Sequence, residues 1–242
     1  MPSILIVLPQ QGFDPSEVAL PWRVWRGQGR DVAFATETGA PAACDPITLT
    51  GEGLPRHARS LRAHPEAREA YAAMLDDPAY HAPQRWSDAR AAAHAALLFP
   101  GGHAPQMRPY CDSPEVARLA REAFAAHQPV AAICHGVLPL ARSGVLTGRT
   151  TTALTAAMEG LAVALTSRAL PGHYRTYPEG VEAEVRRLIG PAGRFERGPL
   201  FPRYAGAAAP HAGFVVTDGA YVSGRWPGDV WTLALQLSAL LA

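Results

Sequence analysis

Residues 128–144 read Gln128-Pro-Val-Ala-Ala-Ile-Cys134-His135-Gly136-Val-Leu-Pro-Leu-Ala-Arg142-Ser-Gly144. The apolar run before Cys134 has the length of a buried strand, and the residues after it read as a helix that Gly144 ends. Cys134 therefore lies where a strand turns sharply into a helix, which is the geometry of a nucleophile elbow. A helix N-terminus favours the thiolate, so this position predicts a lowered thiol pKa. The alternative is a small, buried core cysteine.

Composition narrows the classes of protein. The 242 residues carry 22 basic and 21 acidic side chains, without a basic stripe, which argues against nucleic acid and anionic membranes as partners. The three cysteines show no C-x-x-C spacing, which favours a reduced, cytoplasmic compartment over a disulfide framework or a structural zinc site. The apolar segment 3–8 is too short for a signal peptide and reads as a first strand, and no apolar run is long enough to span a bilayer.

Strand and helix signals alternate along the chain. The predicted strands are 3–8, 31–36, 95–99, 130–133, 214–217 and 221–223, with a further candidate at 150–154. The last pair flanks Asp218-Gly219, a strong hairpin signal. This alternation predicts an α/β fold with a mostly parallel sheet covered on both faces. We expect one domain over residues 1–242, with insertions at about 50–90 and 155–205.

Several helices have recognisable ends. Ser16 is the predicted N-cap of the first helix, and Pro21 predicts a break within it. Ser113 is the predicted cap of a helix that runs to about residue 127, and a final helix is predicted over about 229–241. Residues 38–90 read as an irregular insertion with one helix near 65–75. Two further helices, 155–165 and 180–189, predict a small helical cap beside the sheet.

Separated motifs resemble the ThiJ/PfpI superfamily, within the class I glutamine amidotransferase-like fold. They are listed here in chain order: Glu17-Val-Ala-Leu20-Pro21, Phe99-Pro100-Gly101-Gly102-His103-Ala104, Cys134-His135-Gly136, Val216-Thr-Asp218-Gly219-Ala-Tyr-Val222-Ser and Arg225-Trp-Pro-Gly228-Asp229. The resemblance implies a flavodoxin-like three-layer sandwich with a nucleophile elbow. The longer branch, which includes heat-shock chaperones with glutathione-independent glyoxalase (glyoxalase III-like) activity, matches best.

The resemblance also implies roles for individual residues. Cys134 would be the nucleophile, His135 its base, and Glu159, at the end of Gly148-Arg-Thr-Thr-Thr-Ala-Leu-Thr-Ala-Ala-Met-Glu159, the third member of a Cys-His-Glu triad. Glu17 would lie against the sulfur as a protonated carboxyl. Ordinary alternatives stand beside these roles: a histidine that caps nearby backbone for His135, a first-turn helix acid for Glu17 and a solvated helix glutamate for Glu159.

Two neighbouring features complete the predicted site. Gly102 lacks a Cβ, so its backbone N–H, together with that of His135, is expected to form an oxyanion hole. His103 either lines the pocket or is a loop histidine. The nine histidines show neither H-x-H nor H-E-x-x-H spacing, so no catalytic metal and no other cofactor are expected.

Three classes of function remain open on the sequence. The first is cysteine-dependent, lyase-type chemistry on small 2-oxoaldehydes or glycated substrates, with a role in stress protection. The second is amide or peptide hydrolysis, but the late segment Pro210-His211-Ala212-Gly213 has Gly where glutamine amidotransferases of this fold require Glu. The third is a holdase chaperone or a redox sensor. The assembly is left open between a monomer and a homodimer.

Overall fold

The structure, a computed structural model, describes residues 2–241 and is organised around a seven-stranded sheet. The strands stand in the spatial order β10 (Val215–Asp218), β11 (Tyr221–Gly224), β7 (Val130–Ile133), β6 (Ala96–Phe99), β1 (Ile4–Val7), β3 (Val32–Thr36) and β5 (Gln84–Arg85). Neighbouring strands are parallel except for β10, which pairs antiparallel with β11. The strands β1, β6 and β7 at the centre are buried along their whole length, as expected for strands with helices on both faces.

Two short pairs of strands lie outside this sheet. They are β2 (Gln11–Phe13) with β4 (Ala43–Cys44), and β8 (Thr150–Thr151) with β9 (Arg194–Phe195). The predicted strand at 150–154 is therefore shorter than expected and belongs to a separate ribbon.

The helices flank the sheet in two groups, which confirms the predicted three-layer, flavodoxin-like architecture. They are α1 (Pro15–Gly27), α2 (Pro46–Thr50), α3 (Pro65–Met74), α4 (Pro78–His81), α5 (Arg108–Cys111), α6 (Pro114–Ala125), α7 (Val137–Arg142), α8 (Ala156–Thr166), α9 (Val181–Ile189) and α10 (Val230–Ala239). Helix α1 packs against α3 and α10, whereas α7 packs against α6 and α9. No helix among residues 2–241 combines the length and the apolar character needed to cross a membrane.

Both predictions for the first helix, an N-cap at Ser16 and a break at Pro21, were wrong. Its N-cap is Asp14, whose side chain accepts a 2.7 Å hydrogen bond from the Ser16 N–H, and Pro15 occupies the first turn. Asp-Pro is as strong a start signal as the predicted Ser16, and it lies two residues earlier. The helix also continues through Pro21 to Gly27. Proline lacks the N–H that would bond to the Glu17 carbonyl, but burial of this helix against the sheet outweighs that loss.

The region at 38–90 is more regular than predicted. Its helix at 65–74 is confirmed, but the region also supplies β4 and the edge strand β5. Two-residue strands carry almost no periodicity, so the sequence pattern could not show them. The single domain predicted over residues 1–242 stays a prediction. Its first and last residues, Met1 and Ala242, lie outside the described residues.

Strand order brings the predicted motifs together. Strand β1 continues to β3 on one side, whereas β6 and β7 lie on its other side, so the chain reverses direction of travel between β1 and β6. In open α/β sheets the crevice at such a reversal, beyond the carboxyl ends of the strands, is the usual ligand site. The segments that follow β1, β6 and β7 carry Glu17, Gly101-Gly102 and Cys134, respectively.

A buried ion pair lies between β11 and α10. Arg225 and Asp229 are both fully buried, and three hydrogen bonds join them: two between the side chains, at 2.8 and 3.0 Å, and one from the Arg225 backbone N–H at 3.1 Å. Arg225 also donates to the carbonyls of Arg197 and Pro199. The hairpin predicted at Asp218-Gly219 is confirmed, and its second strand leads directly into this pair. The pair therefore holds the loop around residue 198 against the sheet.

The elbow depends on a glycine at its contact with β6. A Cβ on Gly136 would collide with the carbonyl oxygens of Phe99 and Pro100, although its backbone angles suit any residue. We expect Gly136→Ala to lower the free energy of unfolding by about 3 kcal/mol, since backbone cannot easily move aside. Gly160→Ala is the control, because nothing lies within 4 Å of that site on α8. It should stabilise the protein by roughly 0.5–1 kcal/mol.

Urea unfolding of both variants measures the difference. Equal effects of the two substitutions would show that the tight contact between the elbow and β6 is absent.

Candidate active site

Cys134 stands at the elbow in a strained conformation. Its φ is +76°, a left-handed value that side chains with a Cβ rarely adopt. Such strain costs on the order of 1–3 kcal/mol and persists only where the surroundings impose it. The residue follows β7 directly and opens a short 3-10 turn, Cys134–Gly136, before α7. The strand-to-helix turn predicted from the sequence is therefore confirmed.

Among the charged groups, Glu17 has the largest effect on the pKa of the Cys134 thiol. It is completely buried, and its Oε2 accepts a 2.7 Å hydrogen bond from the Gly101 N–H. Its other oxygen, Oε1, has no hydrogen-bond partner of ordinary geometry within the described chain. Burial, and then the charge of Asp14, raise the pKa of Glu17 well above its usual range, and the Cys134 thiol also interacts with this carboxyl. Glu17 is thus a buried acid aimed at the elbow.

The prediction of a lowered pKa for the Cys134 thiol was wrong, because the structure raises this pKa. Burial raises the pKa of Cys134 well above its ordinary value, and the negative charge of Glu17 raises it further. The His135 N–H acts in the opposite direction by donating to the sulfur. The expected helix effect is small because α7 has only six residues and begins three residues after Cys134. The cysteine and the glutamate therefore act as a coupled pair that resists carrying two negative charges.

His135 lies beside the sulfur as predicted. Its Nδ1 is 3.6 Å from the Cys134 Sγ, and the residue is fully buried. Desolvation, the neighbouring His103 and Arg142 together hold the pKa of His135 well below its ordinary value, so its imidazole is neutral at pH 7. The Nε2 atom has no hydrogen-bond partner among the described residues. His135 is therefore a neutral hydrogen-bonding group rather than half of an ion pair.

The predicted contact between Glu159 and His135 is not present. The Glu159 Oε2 instead accepts from the Val181 N–H at 3.1 Å, where it caps α9, and Arg175 is the nearest cation at 4.0 Å. The side chain is nevertheless 3% exposed, so the solvated alternative is also wrong. A glutamate in the first turn of one helix can satisfy the start of another, and sequence spacing alone does not distinguish this from a triad.

The glycine turn after β6 packs tightly on the elbow. A Cβ on Gly101 would lie 2.7 Å from the His135 nitrogen, and one on Gly102 would lie 2.5 Å from the Gly12 carbonyl oxygen. Both positions therefore need glycine, as the strand-end turn predicted. The Gly102 N–H makes no backbone hydrogen bond within residues 2–241, so it is free to donate to a substrate oxygen. The predicted oxyanion hole of Gly102 and His135 stays a prediction.

His103 and Asp14 extend the site outward. The ring of His103 is 5.1 Å from that of His135 and nearly perpendicular to it, and burial lowers the His103 pKa to about 4. Both His103 and Asp14 line a cavity of about 350 Å³. Asp14 was missed by the sequence reasoning, although Asp14-Pro15 carries the cap signal that would have placed it next to Glu17. Among residues 2–241 no cluster of histidine, cysteine and carboxylate side chains is arranged to hold a metal.

Asp14 gives the site a testable pH dependence. Burial raises its pKa from 3.8 to about 6, so the folded state holds this proton more tightly than the unfolded chain. Stability should therefore fall by about 3 kcal/mol as pH rises from about 4 to above 6. Asp14→Asn keeps a good N-cap without the charge, so it should be more stable than the wild type at pH 8 and lose that advantage near pH 4.

Denaturant unfolding across this pH range measures the difference. Asp76→Asn, at an exposed carboxyl, is the control and should leave stability nearly unchanged. A constant difference between Asp14→Asn and the wild type from pH 4 to 8 would contradict a raised Asp14 pKa.

This chain is similar in sequence and in fold to proteins of known structure or family. A family model described as ThiJ/PfpI family-like matches residues 8–199. An uncharacterized protein of Schizosaccharomyces pombe is 27% identical over 98% of this chain and 83% of its own length. The structure of glyoxalase III from Candida albicans superimposes with a TM-score of 0.69 at 16% identity, covering 98% of this chain and 96% of that one. The Rapid Encystment Protein of Francisella tularensis gives a TM-score of 0.71 at 14% identity, with both chains fully covered. With most of its length matched by the family model and its sheet and elbow in the expected places, the chain belongs to the ThiJ/PfpI-like family.

Proposed function

We propose that this protein is a cysteine-dependent enzyme that converts small 2-oxoaldehydes, such as methylglyoxal, to 2-hydroxy acids without glutathione or another cofactor. The observation that carries the proposal is the buried pair of Cys134 and Glu17, with His135 Nδ1 3.6 Å from the sulfur. This reaction moves protons between adjacent carbons and needs a nucleophile beside an acid that can gain and lose a proton. The likeness of the fold to that of glyoxalase III from Candida albicans supports this proposal.

The reaction begins with addition to the aldehyde. The Cys134 sulfur bonds to the aldehyde carbon, and the carbonyl oxygen takes a proton to give a hemithioacetal. In the reacting pair one proton is shared: ionised Glu17 takes it from the thiol as the sulfur attacks and passes it to the carbonyl oxygen, so that Glu17 is ionised again for the next step. The N–H groups of Gly102 and His135 would bind the oxygen on which negative charge develops.

Proton transfer then changes the oxidation level of the two carbons. A base removes the proton from the former aldehyde carbon, which gives an enediol, and a proton is returned to the neighbouring carbon. The product is a thioester of a 2-hydroxy acid, and water cleaves it to release the acid and the thiol. Glu17 is the proposed base because a raised carboxyl pKa makes its ionised form a stronger base than an ordinary carboxylate. Neutral His135 would hold the sulfur and the substrate oxygen in place.

The competing functions fit the site less well. A cysteine peptidase uses a thiolate paired with a charged imidazole, whereas the His135 pKa is held well below neutrality. The late His211, where amidotransferase chemistry would be expected, is exposed at the surface. A redox sensor is oxidised through its thiolate, whereas burial and the charge of Glu17 raise the pKa of Cys134 and disfavour that form in the absence of a substrate.

Lactate formation tests the proposal directly. Purified protein incubated with methylglyoxal, without glutathione, should produce lactate at a rate unaffected by chelators. Cys134→Ala should abolish this activity, because no other nucleophile stands at the elbow. Cys44→Ala is the control, since Cys44 is a free buried cysteine on β4, and it should retain activity. Absence of lactate, with release of ammonia from glutamine or peptide amides, would instead support amide hydrolysis.

Two of the buried glutamates, Glu17 and Glu159, provide a matched test of the proton-transfer role. Glu17→Gln keeps the size of the side chain and can still donate a hydrogen bond to the sulfur, but it cannot exchange a proton with the substrate. Turnover should fall by about 10²–10⁴-fold, while Cys134 remains open to alkylation by iodoacetamide, measured by intact mass. Glu159→Gln should leave turnover within a few-fold of the wild type, because its carboxyl caps α9.

The reverse outcome is equally informative. If Glu159→Gln lost as much activity as Glu17→Gln, a His135–Glu159 contact would have to form during the reaction.

A further inference from the structure

The cavity beside the elbow is built from parts of the chain that are distant in sequence. It measures about 350 Å³, within the range of pockets that hold small organic ligands. Its inner end is formed by Asp14, Ser16 and His103. Each of these is connected to the reactive groups: Ser16 precedes Glu17, the His103 ring is 5.1 Å from that of His135, and the charge of Asp14 acts on both Glu17 and Cys134. The cavity therefore ends next to the elbow, and Ser16 and His103 separate it from the buried Glu17 and His135.

One wall of the cavity is apolar. It is formed by α8, through the side chains Met158, Leu161, Ala162 and Leu165. Their spacing of three, one and three residues places them on a single helical face. Leu161 is 60% exposed although it is a large apolar side chain, and it lies at this cavity. Ala162 is buried and Met158 and Leu165 are half-buried, so Leu161 is the side chain of this apolar face that the rest of the described chain leaves most exposed.

The opposite wall carries polar atoms without partners. Among residues 2–241, eleven buried side-chain nitrogen or oxygen atoms lack a hydrogen bond, and five of them belong to residues that line this one cavity. These atoms are Ser16 Oγ, His103 Nδ1, Tyr174 OH, Tyr204 OH and Trp226 Nε1; Tyr204 interacts with Ser16 and Tyr174 with Thr48, but neither pair has the geometry of an ordinary hydrogen bond. Folded proteins leave few such atoms, so their concentration here calls for a partner that is not part of the chain. A ligand that supplies hydrogen-bonding oxygens would satisfy them.

We infer that the substrate of this site is a 2-oxoaldehyde whose ketone carbon carries a bulky apolar group, either phenyl or branched alkyl, rather than a methyl group. This inference rests on the proposed function. The two adjacent oxygens of the substrate, or those of its hydrate, lie toward Ser16 and His103. The apolar substituent extends along Met158, Ala162 and Leu165. Methylglyoxal would reach the same reactive groups but would leave the α8 wall uncovered.

The expected preference follows from apolar burial. Each added methylene that leaves water contributes about fourfold to binding. A phenyl or isobutyl substituent should therefore raise kcat/KM by about tenfold or more over methylglyoxal. Initial rates are required, since 2-oxoaldehydes modify arginine side chains over longer times. A wild-type kcat/KM for the phenyl and isobutyl compounds equal to or below that for methylglyoxal would overturn the inference.

Two substitutions on α8 locate the preference in the cavity. Ala162 is buried and lines it, whereas Ala164 is exposed on the same helix and does not. Ala162→Phe should lower the ratio of phenyl to methyl kcat/KM by at least tenfold, and Ala164→Phe should leave this ratio unchanged. If Ala162→Phe does not fold, as judged by thermal unfolding, Leu161→Trp narrows the same cavity from an exposed position and should lower the ratio too. An unchanged ratio in the folded cavity variant would refute the placement.

Binding to an unreactive analogue separates this inference from the proposed chemistry. In Cys134→Ala, phenyl hydroxymethyl ketone should bind at least tenfold more tightly than hydroxyacetone by calorimetry, and adding Ala162→Phe should remove the difference. Such binding without turnover of any aldehyde would overturn the proposed function and uphold the cavity's ligand class. Turnover of methylglyoxal without this binding preference would uphold the function and overturn the ligand class. Neither turnover nor binding would overturn both.

Discussion

The site depends on the electrostatic conflict between two acids that are buried side by side. Cys134 and Glu17 are 1% and 0% exposed, and in each case burial is the largest cause of the raised pKa. The nearest other charge, Asp14, is also acidic and makes a second negative charge still less favourable. The pair therefore retains a proton over a wide range of pH. A nucleophile that shares a proton with its neighbour is suited to reactions in which the substrate must both lose and regain one.

The fold imposes this conflict through backbone packing rather than through charge pairing. Three parallel strands end at the same edge of the sheet, so the segments after β1, β6 and β7 must share one small volume. Gly101 and Gly136 are the contact points, and neither has room for a Cβ. The +76° φ of Cys134 is the local strain that results from this fit. The free energy for holding two acids together comes from the buried sheet and from the helices packed on it.

Local sequence signals predicted the frame of the site but not its electrostatics. The apolar run before Cys134, the glycines after β6 and the Asp218-Gly219 hairpin each act over a few residues, and the structure confirms them. The role of Glu17 required the family resemblance, because a first-turn glutamate looks the same in any helix. The direction of the Cys134 pKa could not be predicted, since it depends on burial and on a residue 117 positions away. Tyr174, Tyr204 and Trp226 reach the cavity from loops without any local pattern.

His135 has no acidic partner among the described residues, and this absence sets the proposed roles of His135 and Glu17. A histidine acts as a strong base when an acid stabilises its charged form, but Glu159 is bound to the Val181 N–H and the His135 Nε2 is left without a partner. Its neighbours Arg142 and His103 further disfavour the charged imidazole. In the proposed reaction, proton transfer is therefore assigned to Glu17, whose pKa is raised rather than lowered. His135 is left to hold the sulfur through Nδ1 and to offer Nε2 to the substrate, and the unpartnered nitrogen of the adjacent His103 extends the same surface into the cavity.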